Sequence, residues 1–186
     1  IISFEASPIN FEYLKKKIEQ NKQAYNNTEI ILENIALGAK DKTVEFKQFE
    51  ESSSSTIQKI DEESEYYKRK FRLISFLNNK KIYETIQIKI SKLKDYIEKN
   101  NIKKIDFMKI DTEGYEFEIL LGLENKIKLV DIIMFEHHYD NMIKKGYTFK
   151  DINELLIKNN FNKIYKSRMP FRKTFEYIYK REELIN

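Results

Sequence analysis

The sequence contains no cysteine, only four glycines and two prolines, and no long hydrophobic run. The lack of cysteine excludes disulfide bonds, a thiolate nucleophile and cysteine-ligated zinc, and it fits a reducing compartment. No stretch approaches the roughly 18 apolar residues that a membrane-spanning helix needs, and no signal peptide is visible. The two prolines are not placed to mark a linker. These absences favour a cytoplasmic protein without a membrane span.

The composition is typical of one globular domain with a mixed surface charge. Of the 186 residues, 41% are hydrophobic and 34% are charged, which argues against a disordered chain and allows a substantial core. The 34 basic and 30 acidic residues are spread along the whole length, giving a net charge of +4. This distribution does not form a nucleic-acid-binding patch. We therefore expect a single domain over residues 1–186 that does not bind nucleic acid.

The most informative stretch is residues 105–116, where a short apolar run ends in acidic residues and a glycine. The run is short enough for a buried strand, and Asp111 and Glu113 follow it directly. After Gly114 the apolar residues recur at the spacing of a helix. The pattern predicts a βα unit of an open α/β sheet, in which ligands bind beyond the carboxyl ends of the strands. Asp111 and Glu113 are therefore the first candidate site residues.

A strand that ends in an acid is also predicted at the start of the chain. The apolar run over residues 1–5 ends at Glu5, and Ser7 and Pro8 then suit a helix N-cap and first turn. A carboxylate at such a strand end can accept both ribose hydroxyls of a nucleoside. The alternatives for Glu5 are an exposed strand-end acid and a charge partner of the helix N-terminus.

A third buried strand is predicted over residues 130–135, and it ends in Glu136, His137 and His138. Imidazole is suited to proton removal near neutral pH, so Glu136 and His137 are candidates for a general base. Adjacent strand residues point to opposite faces, so only one of the two histidines can face a pocket. A Mg²⁺ or Mn²⁺ ion bound by Asp111, Glu136 and a histidine is a further alternative.

The rest of the chain predicts a mixture of strands and helices without an internal repeat. Further strands are expected at residues 30–37, 44–49 and 86–90, with a closing antiparallel pair at 161–166 and 174–179. Helices are expected after Pro8, near residues 93–97 and over 148–160. Residues 50–65 carry a serine run that predicts either a solvated loop or an ordered lid. Residues 65–79 predict a basic helix over an active site or an amphipathic surface helix.

Several motifs together resemble the FkbM-type methyltransferase family in its order and spacing. They are the serine-rich loop and the segments Phe4-Glu5-Ala6-Ser7-Pro8, Ala36-Leu37-Gly38, Lys109-Ile110-Asp111-Thr112-Glu113-Gly114 and Phe135-Glu136-His137. The resemblance extends from Ile1 to about Tyr179. It implies S-adenosylmethionine as the cofactor and a hydroxyl of a sugar or another small molecule as the methyl acceptor. It also implies a Rossmann-like, mostly parallel sheet with a C-terminal antiparallel strand pair.

Two other classes of function stay open at this point. One is a catalytically inactive binding or interaction domain on the same scaffold. The other is a different nucleotide-binding α/β enzyme. Binding of S-adenosylmethionine separates both of them from a methyltransferase.

The resemblance also implies individual cofactor-binding residues. Glu5 would bind the cofactor ribose, with Ser7 beside it, while Asn34, Ala36 and Leu37 would line the adenine pocket. For the adenine-pocket residues, packing in the core is an equal alternative.

At the central stretch the resemblance places Asp111 beside the methyl-transfer centre. Asp111 would touch the amino group of the cofactor, the substrate hydroxyl or a metal, although an aspartate at this point also caps a helix well. Glu113 would bind substrate, pair with Lys109, or stabilise the first helical turn. Gly114 would allow a close approach of the backbone.

One unit of the family pattern is missing from the sequence. Family members begin with a strand and a glycine-rich turn, and none of the four glycines here lies in such a turn. In the family that strand lies between the strands that end at Glu5 and Asp111, so two strand edges are expected to be exposed. Because the chain starts at Ile1 without an initiator methionine, we expect an N-terminally truncated domain whose parent carries this first βα unit upstream.

Overall fold

The structure is a computed structural model that describes residues 1–49, 55–65, 67–68, 83–139, 143–170 and 173–182. The strands are β1 (Ile2–Phe4), β2 (Ile31–Glu33), β3 (Ala36–Leu37), β4 (Lys42–Phe49), β5 (Lys59–Ile60), β6 (Tyr83–Ser91), β7 (Ile105–Ile110), β8 (Val130–His138), β9 (Ile143–Lys144), β10 (Phe161–Arg168) and β11 (Thr174–Arg181). The helices are α1 (Pro8–Gln20), α2 (Leu93–Lys99), α3 (Glu116–Gly122) and α4 (Phe149–Lys158), with 3₁₀ helices at Lys22–Tyr25 and Glu124–Leu129. Ser52–Ser54 of the serine run, and residues 66 and 69–79 of the predicted basic helix, lie outside the described residues.

The strands form a mixed α/β fold with four sets of paired strands in the described part of the chain. The largest set has the order β10-β11-β8-β7, in which β7 and β8 are parallel and β11 is antiparallel to both of its neighbours. The other sets are β3-β6-β4, β1-β2 and β5-β9. The α/β class and the C-terminal antiparallel pair are confirmed. Among the described residues, three of the seven strand pairs are parallel, so the pairing there is mixed and the mostly parallel sheet that the sequence predicted is not confirmed.

Helix starts follow the capping chemistry of the sequence. The Ser7 hydroxyl accepts a hydrogen bond from the N–H of Asn10 at 3.2 Å, and Pro8 occupies the first turn of α1, as predicted. At the start of α4 the Asp151 carboxylate accepts hydrogen bonds from the N–H and the hydroxyl of Thr148, at 2.7 and 2.8 Å. These local contacts satisfy backbone groups that the first helical turn leaves unpaired.

The strand predicted over residues 30–37 is two strands that belong to different sheets. β2 pairs in parallel with β1, whereas β3 pairs in parallel with β6. The break falls at Asn34, whose side-chain amide donates a hydrogen bond to the carbonyl of Glu5 at 2.8 Å. The side chain thereby takes the place of a backbone ladder bond at the point where the chain changes sheet.

β1 and β7 each pair on one side only within the described residues, β1 with β2 and β7 with β8. The side of β7 away from β8 carries no paired strand there, and Phe107 on β7 is 53% exposed. β1 and β7 are therefore edge strands in the part of the chain that the structure describes.

The core lies on one face of the largest sheet. Phe135 of β8 stacks on Tyr177 of β11 with ring centroids 5.5 Å apart, and Phe149 of α4 stacks on the same tyrosine at 4.4 Å. Ile152 and Leu156 of α4 are fully buried against this layer. Within the described ranges, no helix has the length and apolar character that crossing a membrane requires.

Candidate functional site

The carboxyl ends of β7 and β8 meet at one edge of the largest sheet. The two strands are parallel with Ile110 beside Phe135, so the residues that follow, Asp111 and Glu136, are neighbours. Glu136 is 6% exposed. Its burial raises the pKa of its carboxyl above the ordinary value, and the nearby charge of Asp111 raises it further. The structure thus brings together the acids that were predicted at two separate strand ends.

No described residue donates a hydrogen bond to the Glu136 carboxylate, although Lys109 lies near it. The Nζ of Lys109 lies 3.1 Å from Oδ2 of Asp111. Burial lowers the pKa of Lys109, but the hydrogen bond to Asp111 and the charges of Asp111 and Glu136 outweigh it and raise the pKa overall. The edge therefore combines one ion-paired acid with one acid that keeps its hydrogen-bonding capacity.

An acid–imidazole pair, Glu113 and His138, lies beside these two acids. Oε2 of Glu113 is 3.3 Å from Nε2 of His138, and Nδ1 of His138 is 3.0 Å from the hydroxyl of Thr174. The side chains of His138 and Glu113 are 7% and 17% exposed. A distance of 3.3 Å is long for an N–H···O hydrogen bond, so the contact is mainly electrostatic. Groups on both nitrogens fix the orientation of the ring.

The two histidines of the chain lie on opposite faces of β8. Side-chain alternation puts Glu136 and His138 on one face, and Phe135 and His137 on the other. The sequence predicted His137 as the histidine of the site. In the structure it is His138, and not His137, that shares a face with Glu136.

The environment of His137 is aromatic. Its ring is 3% exposed and lies against the rings of Tyr139, Tyr147 and Phe149. Nδ1 of His137 has no hydrogen-bond partner among the described residues. Burial, followed by the positive charge of Lys145, lowers the pKa of His137 to about 3. His137 is therefore a neutral core residue near neutral pH.

The turn between β7 and α3 has an unusual backbone. Glu113 has a φ of 50° and Gly114 has a φ of 96°, so two consecutive residues are left-handed. For a glutamate this conformation costs on the order of 1 kcal/mol and persists only where surrounding contacts hold it. A Cβ on Gly114 would lie 2.7 Å from Cγ2 of Ile143. The close approach expected of Gly114 is thus present.

Two groups from residues 55–58, the described end of the serine-rich segment, contact this turn. The hydroxyl of Thr56 donates a hydrogen bond to the carbonyl of Glu113 at 2.8 Å, and the amide of Gln58 donates one to the carbonyl of Gly114 at 2.9 Å. This end of the segment is therefore ordered against the candidate site.

Glu116 is a fully buried carboxylate that was not selected from the sequence. It is 0% exposed, and its Oε1 accepts hydrogen bonds from the N–H of Gly114 at 2.9 Å and the hydroxyl of Thr112 at 3.3 Å. Its Oε2 accepts a hydrogen bond from the hydroxyl of Tyr147. Burial raises the pKa of Tyr147, and the charge of Glu116 raises it further. An acid in the first turn of a helix is common at exposed N-termini. Glu116 therefore looked like an ordinary first-turn charge in the sequence.

Glu5 and Asn34 come together at the ends of β1 and β2, through the hydrogen bond between the Asn34 amide and the Glu5 carbonyl. Oε1 of Glu5 accepts a hydrogen bond from the N–H of Ser7 at 2.8 Å. Burial raises the pKa of the Glu5 carboxyl, and the Ser7 hydrogen bond opposes that increase. A carboxylate and an amide at neighbouring strand ends form an acceptor and donor set that fits a ribose diol.

Ser7, Ala36 and Leu37, which were also predicted to bind the cofactor, are buried. The Ser7 hydroxyl caps α1 and donates a hydrogen bond to Oε1 of Gln48 at 2.8 Å. Ala36 and Leu37 pack in the hydrophobic core, in β3 beside β6. This placement corresponds to the packing alternative that the sequence left open for these two residues.

The predicted metal alternative finds no matching cluster in the described ranges. There, no group of three or more histidine, aspartate or glutamate side chains is arranged to hold a metal ion. Two of the acids are instead paired, Asp111 with Lys109 and Glu113 with His138.

Comparison with known proteins identifies the family. Residues 1–165 match the methyltransferase FkbM domain, a range that includes the ends of β1, β7 and β8. Searches of curated proteins and of solved structures gave no match. The matched range covers most of the 186 residues and agrees with the motifs noted in the sequence. The chain therefore belongs to the FkbM family of methyltransferase domains.

Proposed function

We propose that this domain transfers a methyl group from S-adenosylmethionine to a hydroxyl of a sugar or a similar small molecule. The observation that carries the proposal is the meeting of Asp111 and the buried Glu136 at the carboxyl ends of two parallel strands. Transfer to a hydroxyl benefits from a proton acceptor beside the reacting oxygen and from negative charge near a cationic donor. Membership of the FkbM family supports the reaction class.

Glu5 and Asn34 are the residues that fit the nucleoside part of the cofactor. The Glu5 carboxylate would accept the ribose hydroxyls, and Asn34 would hold the end of β2 beside it. Ser7 supports Glu5 through its backbone N–H, since its hydroxyl is already bonded to Asn10 and Gln48. Ala36 and Leu37 would contribute through packing behind the base. When bound, the cofactor supplies a methyl group on a positively charged sulfur.

Glu136 is the proposed proton acceptor. Its raised pKa suits a general base better than that of an exposed carboxylate, because a stronger base removes a hydroxyl proton more readily. As the new carbon–oxygen bond forms and the carbon–sulfur bond breaks, the hydroxyl proton would pass to Glu136. Asp111 would favour positive charge at the donor, and Lys109 would hold Asp111 in place through their ion pair.

Glu113 and His138 form a supporting pair on the same side of the sheet. Both imidazole nitrogens of His138 face protein groups, Glu113 on one side and Thr174 on the other. His138 is therefore proposed to tune the charge at Glu136 and not to take the proton itself. Its charge lowers the pKa of Glu136, opposing the increase that burial and Asp111 produce.

Cofactor binding tests the proposal most directly. Isothermal titration calorimetry of the protein with S-adenosylmethionine, and with its demethylated product, should show saturable binding. Glu5→Gln should weaken binding by about tenfold or more, since one charge-assisted contact to the ribose is lost. Glu12→Gln changes an exposed glutamate of α1 and serves as the matched control.

Three results of this titration would count against the proposal. Equal affinity of the Glu5→Gln and Glu12→Gln proteins would remove Glu5 from the site. Preference for NAD or ATP would indicate another nucleotide-binding enzyme. Binding of neither cofactor nor product would favour an inactive binding domain.

A further inference from the structure

Thr56 joins β4 to the turn after β7. Its N–H and carbonyl are hydrogen-bonded to the carbonyl and N–H of Lys47, at 3.1 and 2.9 Å, which ties it to β4. Its side-chain hydroxyl then reaches the carbonyl of Glu113, 57 residues away along the chain. Thr56 is 1% exposed. The same hydroxyl accepts a hydrogen bond from the N–H of Gln58 at 3.0 Å. This buried hydroxyl therefore makes one local turn contact and one tertiary contact.

The carbonyl that Thr56 binds belongs to Glu113, whose backbone is in the left-handed conformation. Gln58 holds the next carbonyl, that of Gly114, so both left-handed residues are fixed from the same segment. A strained conformation lasts only while its surroundings maintain it. The side chain of Glu113 leaves this backbone toward His138, so the orientation of the turn sets the distance between them.

β4 also contacts the other end of the site, where Ser7 and Glu5 lie. Gln48, next to Lys47 on β4, accepts the hydrogen bond from the Ser7 hydroxyl, and the N–H of Ser7 is bonded to Glu5. The two ends of the site are on strands that do not pair with each other in the described part of the chain. β4 therefore provides a common support for both ends.

We infer that Thr56 is a positioning residue, which holds Glu113 against His138 by fixing the carbonyl of Glu113 to β4. Its effect on methyl transfer rests on the proposed function, whereas its effect on the Glu113–His138 contact does not. Thr56 acts through Glu113 and is not itself a catalytic group.

Nuclear magnetic resonance of the imidazole nitrogens tests the contact without any assay of activity. The chain has two histidines, so His137→Phe assigns the signals. In Thr56→Val the ring ¹⁵N shifts of His138 should move toward those of Glu113→Gln, while Thr56→Ser should restore the wild-type values. Thr43→Val, at an exposed position of β4, is the control. Wild-type shifts in folded Thr56→Val overturn the inference.

Gln58→Leu keeps the inference testable if Thr56→Val does not fold, because it removes the neighbouring donor from the same turn. Wild-type His138 shifts in Gln58→Leu would then overturn it. In the enzyme, either variant should lower kcat by about tenfold through misplacement of the acidic edge, with the KM for the cofactor within about twofold.

The two readouts separate the two proposals. Shifted His138 signals with no methyl transfer by any form of the protein would overturn the proposed function alone. Shifted signals with an unchanged kcat would confirm that Thr56 holds the Glu113–His138 contact and would overturn the link between that contact and methyl transfer.

Discussion

The two faces of β8 place adjacent residues in opposite chemical environments. On one face Glu136 and His138 lie with Asp111 and Glu113, and the pKa of Glu136 is raised by burial and further raised by the charge of Asp111. On the other face Phe135 and His137 lie among aromatic rings, and burial decides their properties. Residue type alone therefore does not identify a site histidine, since the same side chain is a charge partner on one face and a core residue on the other.

Loss of aromatic packing around Phe135 should have the largest effect, and it should appear in the free energy of unfolding. Phe135→Ala should lower the free energy of unfolding by about 3–5 kcal/mol, because it leaves a cavity against Tyr177 and Tyr179. Urea denaturation measures the change. Phe107→Ala, at the exposed edge of β7, should cost less than about 1 kcal/mol. Equal losses for the two variants would contradict the placement of the core on the Phe135 face.

The next largest effect is expected on the rate of methyl transfer, which should depend on the face of β8 that carries Glu136. Glu136→Gln should reduce methyl transfer about 10²- to 10³-fold, because the amide cannot accept the hydroxyl proton. Glu176→Gln removes a charge directly opposite on β11 and should change the rate by less than about threefold, because the charge of Glu176 is the smallest of the influences on the pKa of Glu136. Steady-state rates with labelled S-adenosylmethionine provide the measurement. A Glu136→Gln enzyme with the wild-type rate would rule out Glu136 as the base.

The pH dependence of stability should report on the aromatic face. The pKa of His137 falls from 6.5 in the unfolded chain to about 3 in the fold. Below pH 6.5 the unfolded state binds a proton that the folded state does not, so stability is lost as the pH falls from 6.5 toward 3. The slope from this residue stays below about 1.4 kcal/mol per pH unit. Thermal or urea unfolding across this range should show a flatter profile for His137→Phe than for wild type; identical profiles would refute the depressed pKa.

On the polar face, the contribution of Glu136 to stability should depend on pH with the opposite sign, and this effect should be the smallest. Because the pKa of Glu136 is raised above 4.5 in the fold, the folded state keeps a proton that the unfolded state releases as the pH rises. Stability from this residue is therefore present below pH 4.5 and lost as the pH rises through the folded pKa. At pH 7 Glu136→Gln should be more stable than wild type by less than about 1 kcal/mol, after allowance for solvent screening.

A loss of stability in Glu136→Gln at pH 7 would show that the carboxylate is favourably paired. A gain in stability together with a loss of activity would identify Glu136 as a residue kept for function at a cost in folding. The Glu136→Gln variant therefore tests the effect of Glu136 on stability as well as its role in activity.

Local patterns in the sequence were sufficient for much of the fold. The run before Asp111 and the run before Glu136 both form strands, and their parallel pairing brings the two acids to one edge. Ser7 caps α1, and Thr148 with Asp151 begins α4, because a cap requires only residues three or four positions apart. The family also followed from short motifs whose order could be read directly.

What the tertiary structure decided are the contacts between distant parts of the chain. Strand alternation showed that His137 and His138 face opposite sides, but only the packing of Tyr147 and Phe149 determines which side is the core. The burial of Glu116 depends on Tyr147, and the role of Thr56 depends on a turn 57 residues away. The period of a strand or helix is local information, whereas burial and charge neighbours depend on which elements pack together. The sequence by itself therefore determined the elements and the acids at their ends, and tertiary packing decided which of those groups lie close together.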